Sequence, residues 1–135
     1  MNIRIETQPE IIDLIKCNFV EDGDYTRDVM ADEFKELMTK HPDRTLVLVA
    51  YDDNKKPVGH IVAYKAFNRS YACLEQAYSS TGFQVPKIGF EALAEWARQS
   101  GVKSIRLETE RDSVANCAVK RYGFAEHGVV MELKL

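Results

Sequence analysis

The residues with the clearest chemical potential lie in the last third of the chain, where the start of a helix follows a strand. Residues 84–90 read Q-V-P-K-I-G-F and lead into a helical pattern that ends at Gly101. The first turn of a helix leaves backbone N–H groups unpaired, and such groups bind anions, phosphates above all. The spacing therefore predicts an anion-binding helix start, with Lys87 as an added cation.

Glu75 is the second group that could do chemistry. It is the only acid in the apolar stretch 70–79, and strict alternation predicts that it shares a strand face with Cys73 and Ala77. A carboxylate there could act as a general base. The alternative is a half-exposed strand residue without a catalytic role, just as Tyr78 and Tyr122 could be packing residues with hydrogen-bonded hydroxyls.

A run of acids between residues 21 and 36 is the third feature. It contains only Arg27 and Lys35 as cations. Its acids are Glu21, Asp22, Asp24, Asp28, Asp32, Glu33 and Glu36. Such a run could line a site for a cationic ligand, or it could be a solvated helical face.

The cysteines and histidines point away from metal chemistry. The three cysteines are widely spaced and the histidines show no ligand spacing, so no metal site is expected. Free thiols suit a reducing compartment, which predicts a cytoplasmic protein. Cys73 and Cys117 are expected to be small buried hydrophobes, and His60 a satisfied core or interface histidine.

Size and charge narrow the class further. With 135 residues the chain is expected to form a single domain, 1–135. A net charge of -3 gives no overall attraction to nucleic acid, and no apolar run approaches the ~20 residues of a membrane helix. Neither nucleic acid nor a membrane is expected as a partner, whereas a homodimer stays open.

The elements that must position these residues follow from apolar periodicity. Strands are predicted at 2–7, 45–51, 57–67, 70–79, 104–110 and 129–135, and helices at 9–19, 30–41, 88–100 and 112–122. Gly123 is expected at the C-cap of the last helix, with Phe124 packing back. The order βααβββαβαβ predicts an α/β (α+β) domain, in which about four helices flank a central mixed, mostly antiparallel sheet.

This order, together with two segments, resembles the GNAT superfamily of N-acetyltransferases over nearly the whole chain. The segment L-E-Q-A-Y-S-S-T-G-F-Q-V-P-K-I-G-F-E-A-L resembles the family's fourth strand, pyrophosphate loop and following helix. The segment S-I-R-L-E-T-E-R-D-S-V-A-N-C-A-V-K-R-Y-G-F resembles the next strand and the helix that ends in Gly-Phe.

The resemblance implies acetyl-CoA as the acetyl donor and a set of residues that hold it. Main-chain groups at Ala77, Tyr78 and Ser79 would hold the thioester carbonyl and the pantetheine arm. The remaining coenzyme-binding positions it implies are Gln84, Val85, Lys87, Ile88, Gly89, Phe90, Asp112 and Asn116.

Two departures from the family pattern bear on activity. In the loop pattern Q/R-x-x-G-x-G/A, Gln84 and Gly89 match the ends, but Lys87 replaces the first glycine and Pro86 has no N–H to donate. Many members also carry a tyrosine that protonates the coenzyme A thiolate, four residues before the final glycine. That position is Val119, which leaves Tyr122, one turn later, as the candidate acid.

The function expected from this resemblance is N-acetyl transfer to a primary amine, directly within a ternary complex, with a cationic acceptor favoured by the acidic run. One alternative is a GNAT-like module that binds an acyl-CoA or a protein partner with little or no catalysis, as Pro86, Lys87 and Val119 would suggest. A small α/β interaction domain without a cofactor is the other.

Overall fold

A computed structural model describes residues 2–80, 84–109, 112–128 and 131–135, with the backbone alone for 84–86. A five-stranded sheet has the order β1-β2-β3-β4-β5. Its strands are β1 (Asn2–Ile5), β2 (Thr45–Tyr51), β3 (Pro57–Lys65), β4 (Tyr71–Ser79) and β5 (Ser104–Arg106). The first three pairings are antiparallel and β4 pairs with β5 in parallel, which confirms the mixed, mostly antiparallel sheet and the α/β class.

Helices cover both faces of this sheet. Within the described residues they are α1 (Ile11–Ile15), α2 (Arg27–Lys40), α3 (Gln84–Gln99) and α4 (Asp112–Tyr122), with short 3-10 turns at Lys16–Asn18 and Pro42–Arg44. The Thr26 side chain caps α2 by accepting a hydrogen bond from the Val29 N–H at 3.3 Å.

Two apolar cores explain why the middle strands are hydrophobic on both faces. Helices α1 and α2 pack on one face against Val47, Val49 and Val62. Helix α3 packs on the other face, where Leu93 meets a cluster that includes Leu46, Leu48, Ile61 and Ala63. Burial on both sides accounts for the nearly unbroken apolar sequence of β2.

Several predicted boundaries differ from the structure by a few residues, and two of these differences lie close to the site. Helix α3 begins at Gln84 and not at Ile88, because a proline in the first helical turn loses no hydrogen bond that the helix would otherwise make. Strand β5 ends at Arg106, and Glu110, where its predicted end falls, lies outside the described residues.

The predicted last strand is absent from its described part, residues 131–135, while 129–130 lie outside the description. Met131, Leu133 and Leu135 are all highly exposed. Their alternation matches a strand, but a strand forms only where a neighbouring strand supplies hydrogen bonds.

A β-bulge in β4 has the largest consequence for the site. Gln76 pairs with Val62 and Leu74 pairs with Ala63, which leaves Glu75 as an extra residue without a partner on β3. The alternation of side chains between the two faces of the sheet therefore breaks at Glu75, and the prediction that Cys73, Glu75 and Ala77 share one face is wrong. Cys73 pairs with Tyr64 on the α1–α2 face, whereas Ala77 pairs with Ile61 on the α3 face.

The same region of β4 separates from β5. Their parallel pairing ends at Cys73 and Arg106, but β4 continues to Ser79. Beyond the bulge, the β5 side of β4 therefore has no strand partner among the described residues, and the two strands diverge around an open cleft.

Candidate active site

The cleft between β4 and the end of β5 has a volume of about 790 Å³. Its floor is residues 74–79 of β4, and residues 107–109 continue from β5 along it. We call one side the helical wall, which is formed by Gly89, Phe90, Leu93, Ser113, Val114, Cys117, Ala118, Arg121, Tyr122 and Phe124. The opposite side, the loop wall, is formed by Val20, Glu21, Asp22 and Tyr25, between α1 and α2.

Aromatic stacking holds the helical wall together. The ring of Phe90 on α3 lies 4.6 Å from that of Tyr122 and 5.9 Å from that of Phe124, measured between centroids. Gly123 has φ +72°, and the Phe124 N–H donates to the Ala118 carbonyl at 3.2 Å. The predicted glycine C-cap and the return of Phe124 are confirmed.

Gly89 has a packing role in this wall. A Cβ built at this position would lie 3.0 Å from Cδ1 of Ile61 on β3. The glycine therefore lets α3 approach the sheet closely. It sits inside the helix and has no positive φ, so the position does not need glycine for a turn.

The start of α3 lies beside the cleft, which Gly89 and Phe90 line from the same helix. The N–H groups of its first turn have no hydrogen-bond partner within the helix. Residue 86 contributes no such group, because proline has no N–H. Lys87 is exposed and shares a depression between α3 and α4 with Phe90, Glu91, Arg121 and Tyr122. Sequence reasoning missed Arg121, because a cation in the last turn of a helix is common for reasons of the helix dipole alone.

Glu75 projects from the floor in an environment that favours its protonated form. Burial, followed by the nearby charges of Glu33 and Glu108, raises the pKa of this carboxyl. Among the described residues, no side chain makes a hydrogen bond or ion pair with it. A carboxylate whose pKa is shifted toward neutrality is a better general base than an ordinary one.

The neighbouring floor residues lie where a thioester could be held. Ala77, Tyr78 and Ser79 all line the cleft, and Ala77 and Tyr78 belong to the part of β4 that has no strand partner on its β5 side among the described residues. Main-chain groups on such an edge are available to a ligand.

Tyr122 faces the cleft from α4. Burial, followed by the charge of Cys117, raises the pKa of its phenol, so the hydroxyl is protonated at neutral pH and able to donate. Val119, at the position of the family tyrosine, is half exposed and is not among the lining residues.

Further predicted residues lie outside the lining. Asp112 and Asn116 are exposed on α4, and Ile88 is exposed on α3. The side chains of Gln84 and Val85 lie outside the described part of the chain. These assignments remain predictions. Cys117 is exposed and lines the cleft, so the expectation that it is buried is wrong, and Cys73 is only half-buried.

The acidic run divides into two parts. Asp28 pairs with Lys16 at 3.2 Å and Glu36 pairs with Lys40 at 2.6 Å, both on the solvent side of α2. Glu21 and Asp22 line the cleft. The acidic run thus includes both a solvated helical face, at Asp28 and Glu36, and part of the cleft lining, at Glu21 and Asp22.

The sequence predicted that His60 is buried, but it did not predict that His60 lines the cleft. It is 4% exposed, lines the cleft, and its ring lies 5.4 Å from Phe19 and 5.6 Å from Tyr78. Burial lowers its pKa to about 4. The predicted burial is confirmed, but the predicted satisfaction is not, because Nε2 has no hydrogen-bond partner in the described part of the chain.

The described residues offer neither a metal site nor a membrane-spanning helix. No group of three or more His, Cys, Asp or Glu side chains there could hold a metal ion. No helix in the same residues has the length and apolar character needed to cross a membrane.

Comparison with known proteins places the chain in a family. Residues 9–124 match the family model described as "Acetyltransferase (GNAT) family". Because this match spans most of the chain, the protein belongs to the GNAT family of acetyltransferases, and the resemblance seen in the sequence is confirmed. The family uses acetyl-CoA as its acetyl donor. No curated protein matches the chain significantly.

Solved structures share the fold at low identity. The aminoglycoside antibiotic 6'-N-acetyltransferase AAC(6')-Ih from Acinetobacter baumannii is 19% identical with a TM-score of 0.69, over 99% of this chain and 97% of that chain. AAC(6')-Iy in complex with the bisubstrate analog CoA-S-monomethyl-acetylneamine is 18% identical with a TM-score of 0.68, over 99% and 97%. Glucosamine-6-phosphate N-acetyltransferase from Arabidopsis thaliana is 16% identical with a TM-score of 0.63, over 99% of both chains.

Proposed function

We propose that this protein is a cytoplasmic, single-domain N-acetyltransferase that moves the acetyl group of acetyl-CoA directly to a primary amine in a ternary complex. The observation that carries the proposal is the cleft where β4 separates from β5. It brings Glu75 on the floor and the phenol of Tyr122 to one cavity, and the start of α3 lies next to it, because Phe90 lines both this cavity and the depression that holds Lys87. Family membership supports the same conclusion.

The donor would lie with its phosphates toward the start of α3. There the first-turn N–H groups and the cations Lys87 and Arg121 suit a pyrophosphate. The pantetheine arm would follow the floor, with the thioester near Ala77 and Ser79. Loss of the N–H at Pro86 removes one charge-assisted hydrogen bond, worth roughly 1.5–3 kcal/mol, and the two cations offset that loss.

Transfer needs a neutral amine, because an ammonium has no lone pair. Glu75 would accept the ammonium proton, directly or through a water, and the freed nitrogen would attack the thioester carbonyl. Collapse of the tetrahedral intermediate breaks the C–S bond and releases coenzyme A as a thiolate, which Tyr122 would protonate. A thiol has a pKa of about 8.5, so this acid assists the step without being essential to it.

The acceptor we infer is a small or peptide-borne amine that arrives as a cation. Glu21 and Asp22 line the loop wall, and Glu33 and Glu108 add negative charge near Glu75. Such a field attracts cations and repels anions. One of the structural relatives is named as an aminoglycoside antibiotic 6'-N-acetyltransferase, which agrees with an amine acceptor.

The test combines binding with turnover. Acetyl-CoA at 100 times its dissociation constant should stabilise the fold by about 2.7 kcal/mol, and a melting temperature that does not move in millimolar acetyl-CoA would refute donor binding. A panel of cationic, neutral and anionic amines, followed by release of free thiol, then tests transfer. Donor binding without turnover of any amine would favour the second candidate, a module that binds acyl-CoA without catalysis. The missing donor at Pro86 is the observation in its favour.

A further inference from the structure

One buried side chain connects the loop wall to the floor of the cleft. Oε1 of Gln76 accepts a hydrogen bond from the Val20 N–H at 2.9 Å, and its Nε2 donates to the Val20 carbonyl at 3.4 Å. Nε2 also lies 3.2 Å from Sδ of Met30. Gln76 is 8% exposed, so these bonds compete little with water. The amide thus pairs with both main-chain groups of Val20, much as a neighbouring strand would.

The rest of the loop wall is tied together internally. Asp22 and Tyr25 exchange two main-chain hydrogen bonds, of 3.3 and 2.9 Å, around Gly23, whose φ is +55°. The Tyr25 hydroxyl donates to Glu33 on α2 at 2.8 Å.

The segment before the turn is fixed as well. The Arg27 side chain donates to the Phe19 carbonyl at 3.0 Å, and Phe19 itself is buried in the core. Both ends of the segment are therefore anchored, and the Gln76–Val20 pair is the contact that connects it to β4.

The place of Gln76 in the sequence gives this pair a meaning for the reaction. Gln76 follows Glu75 directly and precedes the floor residues Ala77–Ser79. The loop wall is therefore attached to the same few residues of β4 that carry the candidate base and the proposed thioester site.

We infer that Gln76 is a positioning residue for the acceptor. By holding Val20 it fixes Glu21, Asp22 and Tyr25 at one distance from Glu75, so that an amine bound against the loop wall meets the base. This inference rests on the proposed function. It predicts that Gln76 governs the KM of the acceptor and leaves binding of the donor unchanged, since the donor contacts the helical wall and the main chain of the floor.

The test uses the substitution Gln76→Leu, which removes both hydrogen bonds at nearly constant volume, and Gln76→Glu, which keeps an acceptor for the Val20 N–H. Gln99→Leu is the matched control, because Gln99 is exposed and its side chain donates to Glu95 on the far part of α3. Amide hydrogen exchange at Val20 and the KM values of both substrates are measured in each variant.

In Gln76→Leu, loss of the pair should accelerate exchange at Val20 and raise the acceptor KM, each by about tenfold. The KM of acetyl-CoA should stay at the parental value. Gln76→Glu should retain slow exchange at Val20 and an acceptor KM closer to the parent, and Gln99→Leu should match the parent throughout. If Gln76→Leu does not fold, Val20→Pro removes the donor from the exposed loop side, and the amides of Asp22 and Tyr25 report the same loosening.

If the amide of Val20 exchanged at the parental rate in Gln76→Leu, the hydrogen bonds between Gln76 and Val20 would not hold the loop wall. A parallel rise of both KM values, following the loss of thermal stability, would reduce Gln76 to a general structural residue. Failure of the parental chain to acetylate any amine would overturn the proposed function, and with it the acceptor role. The exchange measurement separates that outcome from failure of the pairing, because it needs no substrate.

Discussion

The two walls of the cleft differ in charge and in the way they are built. The helical wall is an aromatic stack of Phe90, Tyr122 and Phe124 with the cations Lys87 and Arg121 at one end. The loop wall carries Glu21 and Asp22, and hydrogen bonds hold it to β4 and to α2. One wall is packed by side chains, and the other is positioned by polar contacts.

This difference teaches how one small cleft could handle two substrates of opposite charge. Coenzyme A brings phosphates, which suit the cationic end of the helical wall, whereas an alkyl amine arrives protonated, with a pKa near 10.4, and suits the acidic loop wall. In the proposed function the floor lies between them, and there the amine would lose a proton before attack. Substitutions that remove single parts of this arrangement should therefore have separable effects.

The largest effect is expected at the floor. In our proposal Glu75→Gln removes the base, so kcat/KM at neutral pH should fall by roughly 10²–10⁴. The loss should shrink at high pH, where free amine is plentiful. Rates across pH measure it, with Glu95→Gln on the exposed face of α3 as the control. A Glu75→Gln enzyme with the full parental pH profile would pass the role to water or to the substrate itself.

The second effect concerns the buried histidine beside the loop wall. Burial lowers the pKa of His60 to about 4 from an unfolded value of 6.5, so the unfolded chain binds this proton first. Stability from neutral His60 is therefore complete above pH 6.5 and is lost as pH falls toward 4, by about 3 kcal/mol.

His60→Phe should remove that loss, which denaturant unfolding at a series of pH values can measure. The raised pKa of Glu75 acts in the opposite direction, because the folded chain keeps its proton to higher pH and gains stability as pH falls. Glu75 is present in both chains, so the difference between them isolates His60. Parallel pH curves for parent and variant would show that His60 does not resist protonation.

The cationic end of the helical wall should give the third effect. Lys87→Ala and Arg121→Ala should each weaken coenzyme A binding by roughly 1–3 kcal/mol, about five- to 150-fold. Binding of a pantetheine fragment without phosphates should barely change. Calorimetric titration measures both, and Arg98→Ala, at the other end of α3, is the control. Unchanged affinity in both variants would mean that these cations point to solvent.

The smallest effect is expected from the charge of the loop wall. The double substitution Glu21→Gln with Asp22→Asn should lower the second-order rate with a cationic acceptor and flatten its fall with salt, because exposed charges are screened beyond roughly 8–10 Å. The double substitution Asp28→Asn with Glu36→Gln changes net charge equally on the solvent side and is the matched control. Equal effects of the two pairs would make the acidic run a general surface property.

The helical wall of the cleft was easier to predict than the loop wall. Helix α4, its glycine cap and the return of Phe124 follow from local signals, whereas the stacking of Phe90 on Tyr122 depends on how two helices pack. The pairing of Gln76 with Val20 joins residues far apart in the chain, and nothing local marks either one. The bulge at Glu75 was not predicted for a similar reason. Its extra residue arises from the register between two strands, and the alternation within one strand gives no sign of it.

The sequence by itself determined the order of the elements as far as α4, the family and the candidate base, because periodicity, capping residues and short motifs are properties of neighbouring residues. Only the tertiary structure decided which candidates meet. It parted β4 from β5 after Cys73, split the acidic run between cleft and solvent, brought Arg121 beside Lys87, and left His60 buried without a partner for Nε2. It also left residues 131–135 unpaired despite their strand-like alternation. Each of these outcomes depends on contacts between distant segments, and such contacts are fixed only when the chain packs.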